Sequence, residues 1–187
     1  YNIDGDGTDE MILTCNGSRG IYIYQKDSIL NLPVNLDFFY SFNPDFQIDW
    51  RTFGDFDNDG VTDYAFWTDN TTSIYLGIYE FNAFSRTFDS IYASSTSSSI
   101  LVDDLDGDNK TDLAFAESYG GIGVIENISN NQYSLVWYDD VDLYNSYYVN
   151  VTNDFNKNGL KELWLIGDEL SNSQTVLYAF EAVSDNV

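Results

Sequence analysis

Four nine-residue segments of this chain place oxygen-bearing side chains on alternate positions. They are Asn2-Ile-Asp-Gly-Asp-Gly-Thr-Asp-Glu10, Asp55-Phe-Asp-Asn-Asp-Gly-Val-Thr-Asp63, Asp104-Leu-Asp-Gly-Asp-Asn-Lys-Thr-Asp112 and Asp154-Phe-Asn-Lys-Asn-Gly-Leu-Lys-Glu162. In a tight turn the side chains at positions 1, 3 and 5 converge, and clustered carboxylates are unfavourable unless a cation neutralises them. Every donor offered is oxygen, which suits a hard ion such as calcium, held by six to eight ligands at about 2.3–2.6 Å. The expected ligands in the first loop are Asn2, Asp4, Asp6, the Thr8 carbonyl and Glu10. In the second they are Asp55, Asp57, Asp59, the Val61 carbonyl and Asp63; in the third, Asp104, Asp106, Asp108, the Lys110 carbonyl and Asp112. The fourth offers Asp154, Asn156, Asn158, the Leu160 carbonyl and Glu162. Position 6 is Gly7, Gly60, Asn109 or Gly159, all tolerant of the positive φ that a sharp turn requires.

An EF-hand would need Glu at position 12 and flanking helices, but Leu13, Phe66, Phe115 and Leu165 stand there. Plain Asp-Gly turns on a solvated face would not call for alternating carboxylates plus a fourth acid. The second and third loops bring four carboxylates each and are expected to bind most tightly. The first has Asn2 near the chain end, and the fourth has only Asp154 and Glu162 as anions, so binding there should be weaker.

The elements that carry these loops follow from their spacing. Successive loops start 53, 49 and 50 residues apart, and each is followed by a short apolar run: Met11–Leu13, Tyr64–Trp67, Leu113–Ala116 and Leu163–Ile166. The stretches between are rich in β-branched and aromatic residues, too short for helices, and punctuated by Gly, Asn, Ser and Asp. One period supplies four strands, and a four-stranded sheet recurring every 40–50 residues or so is the pattern of a β-propeller blade. The expectation is an all-β chain of four repeats, about 1–45, 46–95, 96–144 and 145–187, forming one propeller segment of four-stranded antiparallel blades. The strands leaving the loops are apolar on both faces, so Trp67 and Trp164 are expected in the core.

Composition narrows the function. The 187 residues carry 31 Asp and Glu against 7 Lys and Arg, a formal charge of −24. No basic footprint for nucleic acid exists, and an anionic membrane surface is disfavoured for the same reason. The absence of His removes Ser-His-Asp triads and His-ligated zinc. A 43% hydrophobic and 17% aromatic content belongs to a folded chain, not a disordered acidic one. The single Cys15 allows no internal disulfide and has no neighbouring cation to activate it. No apolar run approaches the roughly 18 residues of a membrane span. The chain starts at Tyr1 with no signal-peptide pattern, which suggests a processed chain or a fragment.

The loops, their period and the short apolar strands after them resemble the FG-GAP or VCBS-type repeats of calcium-binding β-propellers, the family that includes the integrin α-subunit headpiece. The resemblance covers essentially the whole chain, and Phe53-Gly54 before the second loop is its loosest element. It implies calcium between the first and second strands of each blade, on one face of a disc, with partners more often meeting the opposite face. It also implies an extracellular or cell-surface protein of adhesion, glycan or protein recognition, or extracellular assembly. The alternatives are the propeller of a polysaccharide-active lyase or hydrolase, or a purely structural subunit of a fibre. Four repeats are few for such a ring, so a longer propeller, or blade edges paired by neighbouring copies of the chain, is expected.

Outside the loops, strand alternation places Cys15–Gly20, Thr68–Ser73, Glu117–Gly121, Asp168–Gln174 and the linkers Ser41–Asp49, Ala93–Ser99 and Asp139–Asn145 on the end opposite the acids. Phe46, Tyr119 and Tyr144 there could stack on sugars or cap the blades. No catalytic constellation is visible, and Lys110, Lys157 and Lys161 read as solvated charges. Of the sequons at Asn16, Asn70, Asn109, Asn127 and Asn150, those at Asn16, Asn70 and Asn127 read as turns that could carry glycans in a eukaryotic source.

Overall fold

The computed structural model describes the chain except residues 1, 4–5, 15–19, 28, 30–31, 42–46, 71–72, 83–86, 96–98, 118, 153 and 182–187. For residues 47–51, 68–70, 73–75, 87–95, 145 and 147–152 it describes the backbone alone. Asp4, Cys15, Asn16 and Phe46, and the side chain of Asn70, therefore lie outside the described residues.

Every regular element among the described residues is a β-strand, and all pairing is antiparallel. The first sheet has the order β1 (Met11–Thr14), β2 (Gly20–Lys26), β3 (Pro33–Ser41). The second is β4 (Gln47–Gly54), β5 (Asp63–Asn70), β6 (Ser73–Asn82), β7 (Thr87–Ser95), and the third is β8 (Ser99–Asp103), β9 (Asp112–Ala116), β10 (Gly121–Ser129), β11 (Gln132–Asp140). The last is β12 (Leu143–Thr152), β13 (Glu162–Glu169), β14 (Thr175–Glu181). Each is a meander of sequence neighbours, as short connections favour. Four strands are present in the second and third sheets; the first and last have three among the described residues.

The sheets group into two compact units, Tyr1–Ser95 and Thr96–Val187. In the first, Ile21 and Ile23 of β2 pack with Tyr64 and Phe66 of β5 and with Phe81 and Ile3. Aromatic contacts run through this core: Phe53 stacks on Tyr64 at 4.4 Å, Tyr64 on Phe66 at 5.0 Å, and Phe66 meets Tyr79 at 5.1 Å. In the second unit Ala114, Ala116, Ile122 and Val124 pack with Leu143, Leu163 and Leu165. Period-2 alternation decides which residues those are. Leu163 and Leu165 point inward, whereas Trp164 is half-buried and Ile166 is exposed.

The expectation of strands apolar on both faces is met by β9, buried throughout, and by β5 from Asp63 to Phe66. It fails for β1 and β13. Trp67 and Trp164 are likewise half-buried rather than core. Trp164 instead meets the exposed loop residue Phe155 edge-on at 6.1 Å, so its ring covers the flank of an acidic loop.

Candidate metal centre

Each acidic segment is the connection between two adjacent strands, or in the first case leads into β1. Loop 2 (residues 55–63) joins β4 to β5, loop 3 (104–112) joins β8 to β9, and loop 4 (154–162) joins β12 to β13. The loops are drawn tight by their own amides. The position-9 carboxylate reaches back to the position-2 N–H in all four: Glu10 accepts from Ile3 at 2.7 Å, Asp63 from Phe56 at 2.8 Å, Asp112 from Leu105 at 2.8 Å and Glu162 from Phe155 at 2.7 Å. The position-1 side chain accepts the position-6 N–H, as between Asp55 and Gly60 at 3.0 Å and between Asp154 and Gly159 at 2.8 Å. Position 5 accepts the position-7 N–H, as between Asp59 and Val61 at 2.8 Å and between Asp108 and Lys110 at 2.7 Å. Loop 1 repeats these bonds at Asn2–Gly7, 3.2 Å, and Asp6–Thr8, 2.7 Å.

The backbone needs a left-handed residue at two positions, not one. Position 6 has φ of 89° at Gly60, 67° at Asn109 and 98° at Gly159, as the sequence suggests. Position 4 is left-handed too, with 60° at Asn58, 83° at Gly107 and 64° at Lys157. Asn and Gly tolerate this; Lys157 does so at a steric cost.

One carboxylate oxygen each from Asp55, Asp57 and Asp59 lie within 4.8 Å of one another, and so do those of Asp104, Asp106 and Asp108. Oxygens bound to one calcium at about 2.4 Å can be no farther apart than about 4.8 Å, so both groups fit such an ion in spacing and in donor chemistry. Position 9 adds a buried acid beside each group. Burial pushes the Asp63 carboxyl up to about 7; the Phe56 amide opposes this, and the charges of Asp57, Glu80 and Asp55 reinforce it. Burial likewise pushes Asp112 up to about 7, opposed by the Leu105 amide and aided by Asp106, Glu126 and Asp108.

A raised carboxylate in the folded state has a definite consequence for the metal-free chain. Between its ordinary value of 3.8 and about 7 the folded state holds a proton that the unfolded state has lost, so this contribution is full at low pH and fades as pH rises through 7. In excess chelator, thermal stability is expected to increase from pH 7.5 to pH 5 or so. A chelated chain that melts earlier at the lower pH would contradict these environments.

Residues 55–115 match the model of the FG-GAP-like repeat. The chain carries an FG-GAP-type repeat. The match opens on position 1 of loop 2 and closes in β9, so this one FG-GAP repeat match contains both three-carboxylate groups. No curated protein matches the chain.

Two lysines that the sequence suggests are solvated charges, Lys110 inside the FG-GAP match and Lys161 beyond it, act on loop 3. Lys110 is not a free solvated charge: its Nζ donates to Glu126 at 2.7 Å and pairs with Asp108. Burial opposes ionisation of Asp108, but the hydrogen bonds and charge of Lys110 outweigh it and bring the carboxyl below its ordinary value. Lys161 of loop 4 also reaches loop 3, donating to Asp103 at 2.8 Å and to the Asp104 carbonyl at 2.7 Å. Strand register adds a set of acids that spacing in the sequence does not mark. Position 9 faces an acid on the following strand three times: Asp63 opposite Glu80, Asp112 opposite Glu126, and Glu162 opposite Glu181.

At the opposite end of the second unit, Gly120 N donates to Ser146 Oγ, Val141 N to the Gly120 carbonyl and Leu170 N to the Asp142 carbonyl, all at 3.1 Å. Tyr119 is exposed there, and Tyr144 OH stands 3.5 Å from Asp168. The expected glycan acceptor Asn127 is corrected by its surroundings. It is buried, and its Nδ2 donates to the Ser129 carbonyl at 2.8 Å and the Gln132 carbonyl at 3.3 Å, closing the β10–β11 hairpin. The nitrogen a glycan would modify is thereby enclosed.

Proposed function

We propose that loops 2 and 3 bind calcium and that the chain is a segment of a calcium-stabilised β-propeller acting outside the cell in adhesion, recognition or extracellular assembly. The observation that carries the reading is the pair of three-carboxylate groups, each with oxygens inside one ion's span, on a repeat of FG-GAP type. Asp55, Asp57, Asp59 and Asp63 would hold one ion, and Asp104, Asp106, Asp108 and Asp112 the other. Bound calcium would supply the positive charge that lets the buried position-9 acids ionise. Loop 1, with Asn2, Asp6, Thr8 and Glu10 about it, is assigned a weaker site. The role is structural: the ion fixes the angle at which one strand leaves the loop relative to the strand entering it. The partner, protein or glycan, is assigned to the end remote from the loops, where Tyr119 and Tyr144 stand among acids. No residue is assigned a catalytic part.

Calorimetric titration of the intact chain tests the metal sites. Asp57→Ala and Asp106→Ala should each remove one high-affinity site, and calcium binding with neither stoichiometry affected would refute the assignment. The two sites should also differ. Lys110 already places positive charge on a ligand of loop 3, so Lys110→Met is expected to tighten that site roughly tenfold and leave loop 2 unchanged. An array of glycans followed by a turnover assay would separate recognition from polysaccharide cleavage.

A further inference from the structure

Loop 4 has the shape of the other loops but a different set of partners. Its position-1 acid, Asp154, accepts from Asn158 N and Gly159 N, both at 2.8 Å. Glu162 is engaged through both oxygens, by Phe155 N at 2.7 Å and Asn156 N at 3.1 Å. At positions 3 and 5, Asn156 Oδ1 accepts from Asn158 N at 3.0 Å and Asn158 Oδ1 from Leu160 N at 2.9 Å. That leaves the two carboxamide nitrogens, and both donate to one oxygen of Glu181, at 2.8 Å and 2.7 Å. The amide orientation is fixed by this arrangement. Turning either carboxamide over would set its oxygen against a carboxylate and its N–H groups against a backbone N–H.

Glu181 lies in β14, nineteen residues beyond the motif, and reaches the loop because register sets it directly across from Glu162. Acids directly opposed on neighbouring strands repel. Loop 3 answers the same juxtaposition, Glu126 facing Asp112, with the ammonium of Lys110. Loop 4 answers it with two neutral amide donors.

We propose that Glu181 closes loop 4 by hydrogen bonding in the place where loops 2 and 3 use a cation, so that loop 4 keeps its conformation without metal. The contrast drawn rests on the calcium reading of loop 2. The consequence is a chain whose loops differ in calcium dependence: the protection of loop 4 against exchange does not fall when the ion is withdrawn.

Backbone hydrogen exchange on the full chain, in calcium and in excess chelator, reads loops 2 and 4 separately. In the wild-type chain, chelation should speed exchange in residues 55–63 by about tenfold or more and change residues 154–162 by less than about twofold. Glu181→Ala should speed exchange in residues 154–162 about tenfold in both conditions, whereas Glu181→Gln, which keeps an acceptor oxygen, should stay near wild type. Asn158→Asp sets a carboxylate against Glu181 and should make loop 4 calcium-dependent, a result still readable if Glu181→Ala fails to fold. The proposal is overturned if calcium protects loop 4 of the wild-type chain as strongly as loop 2, or if Glu181→Ala and Asn158→Asp leave loop 4 exchange unchanged in chelator. Should neither loop of the wild-type chain respond to calcium, the calcium reading fails, while the variant-to-wild-type ratios in chelator still decide the part played by Glu181.

Discussion

Excess chelator is expected to lower the melting temperature of the purified chain by roughly 10–20 °C. A ligand that binds only the folded state stabilises it by RT ln(1 + [L]/Kd), about 2.7 kcal/mol at a hundredfold excess. Among the described residues each compact unit contains one three-carboxylate loop, Asp55–Asp59 in the first and Asp104–Asp108 in the second. In a domain of such a size, 1 kcal/mol moves the midpoint by about 4–8 °C. The two units should not respond alike. In the second, the ammonium of Lys110 stays paired with Asp108 when the ion is gone, so the shallower loss belongs to it. Asp57→Ala should reproduce the chelator's effect on the first unit and leave the second near its calcium-loaded midpoint. A scanning calorimetry trace that is the same with calcium and with chelator would remove the metal from this account.

Phe66→Ala is expected to cost about 3–5 kcal/mol, the range for emptying a buried phenylalanine site. Phe66 is fully buried on β5, three residues beyond the last acid of loop 2, with Tyr64 on one side and Tyr79 on the other. Its neighbours are themselves rings held at close spacing, so the space left behind cannot collapse without tilting Tyr64, whose ring also stacks on Phe53. The loss should appear in denaturant titrations with and without calcium, since the packing removed is with the rings of Tyr64 and Tyr79. Phe66→Leu, which keeps most of the volume, should cost less than half as much. Equal losses for the two variants would mean that ring packing does not hold β5 in place.

The loops and strands were legible because both are written as local periods: alternate acids in a nine-residue motif, and apolar runs at a fixed distance after it. The left-handed residue at position 6 could be read from Gly60 and Asn109. The one at position 4 was hidden, because Asn58, Gly107 and Lys157 look unrelated until their φ values are compared. What sequence spacing could not supply was register. Glu80, Glu126 and Glu181 stand seventeen, fourteen and nineteen residues beyond position 9, yet all three face it across a strand pair. Hairpin lengths vary, so no fixed spacing marks them. Lys110 was misread for a similar reason, since its partner Glu126 comes from the next strand. Asn127 fits a sequon as well as any exposed asparagine does; only the carbonyls of Ser129 and Gln132 around its nitrogen show that it serves the hairpin. The tryptophans were placed by residue type, whereas alternation along β13 turned Trp164 outward toward Phe155.

The hydrogen bonds inside loop 2 carry a kinetic consequence. Asp55, Asp57, Asp59 and Asp63 each accept an amide of the same nine residues, so the receptor is assembled by the chain itself. The conformational entropy of the loop is lost when the sheet forms, not when an ion arrives. Exchange of calcium with solvent should therefore run as a single fast phase, with no slower rearrangement behind it. A chain built this way would meet a medium of fluctuating calcium by refilling loops 2 and 3 without refolding.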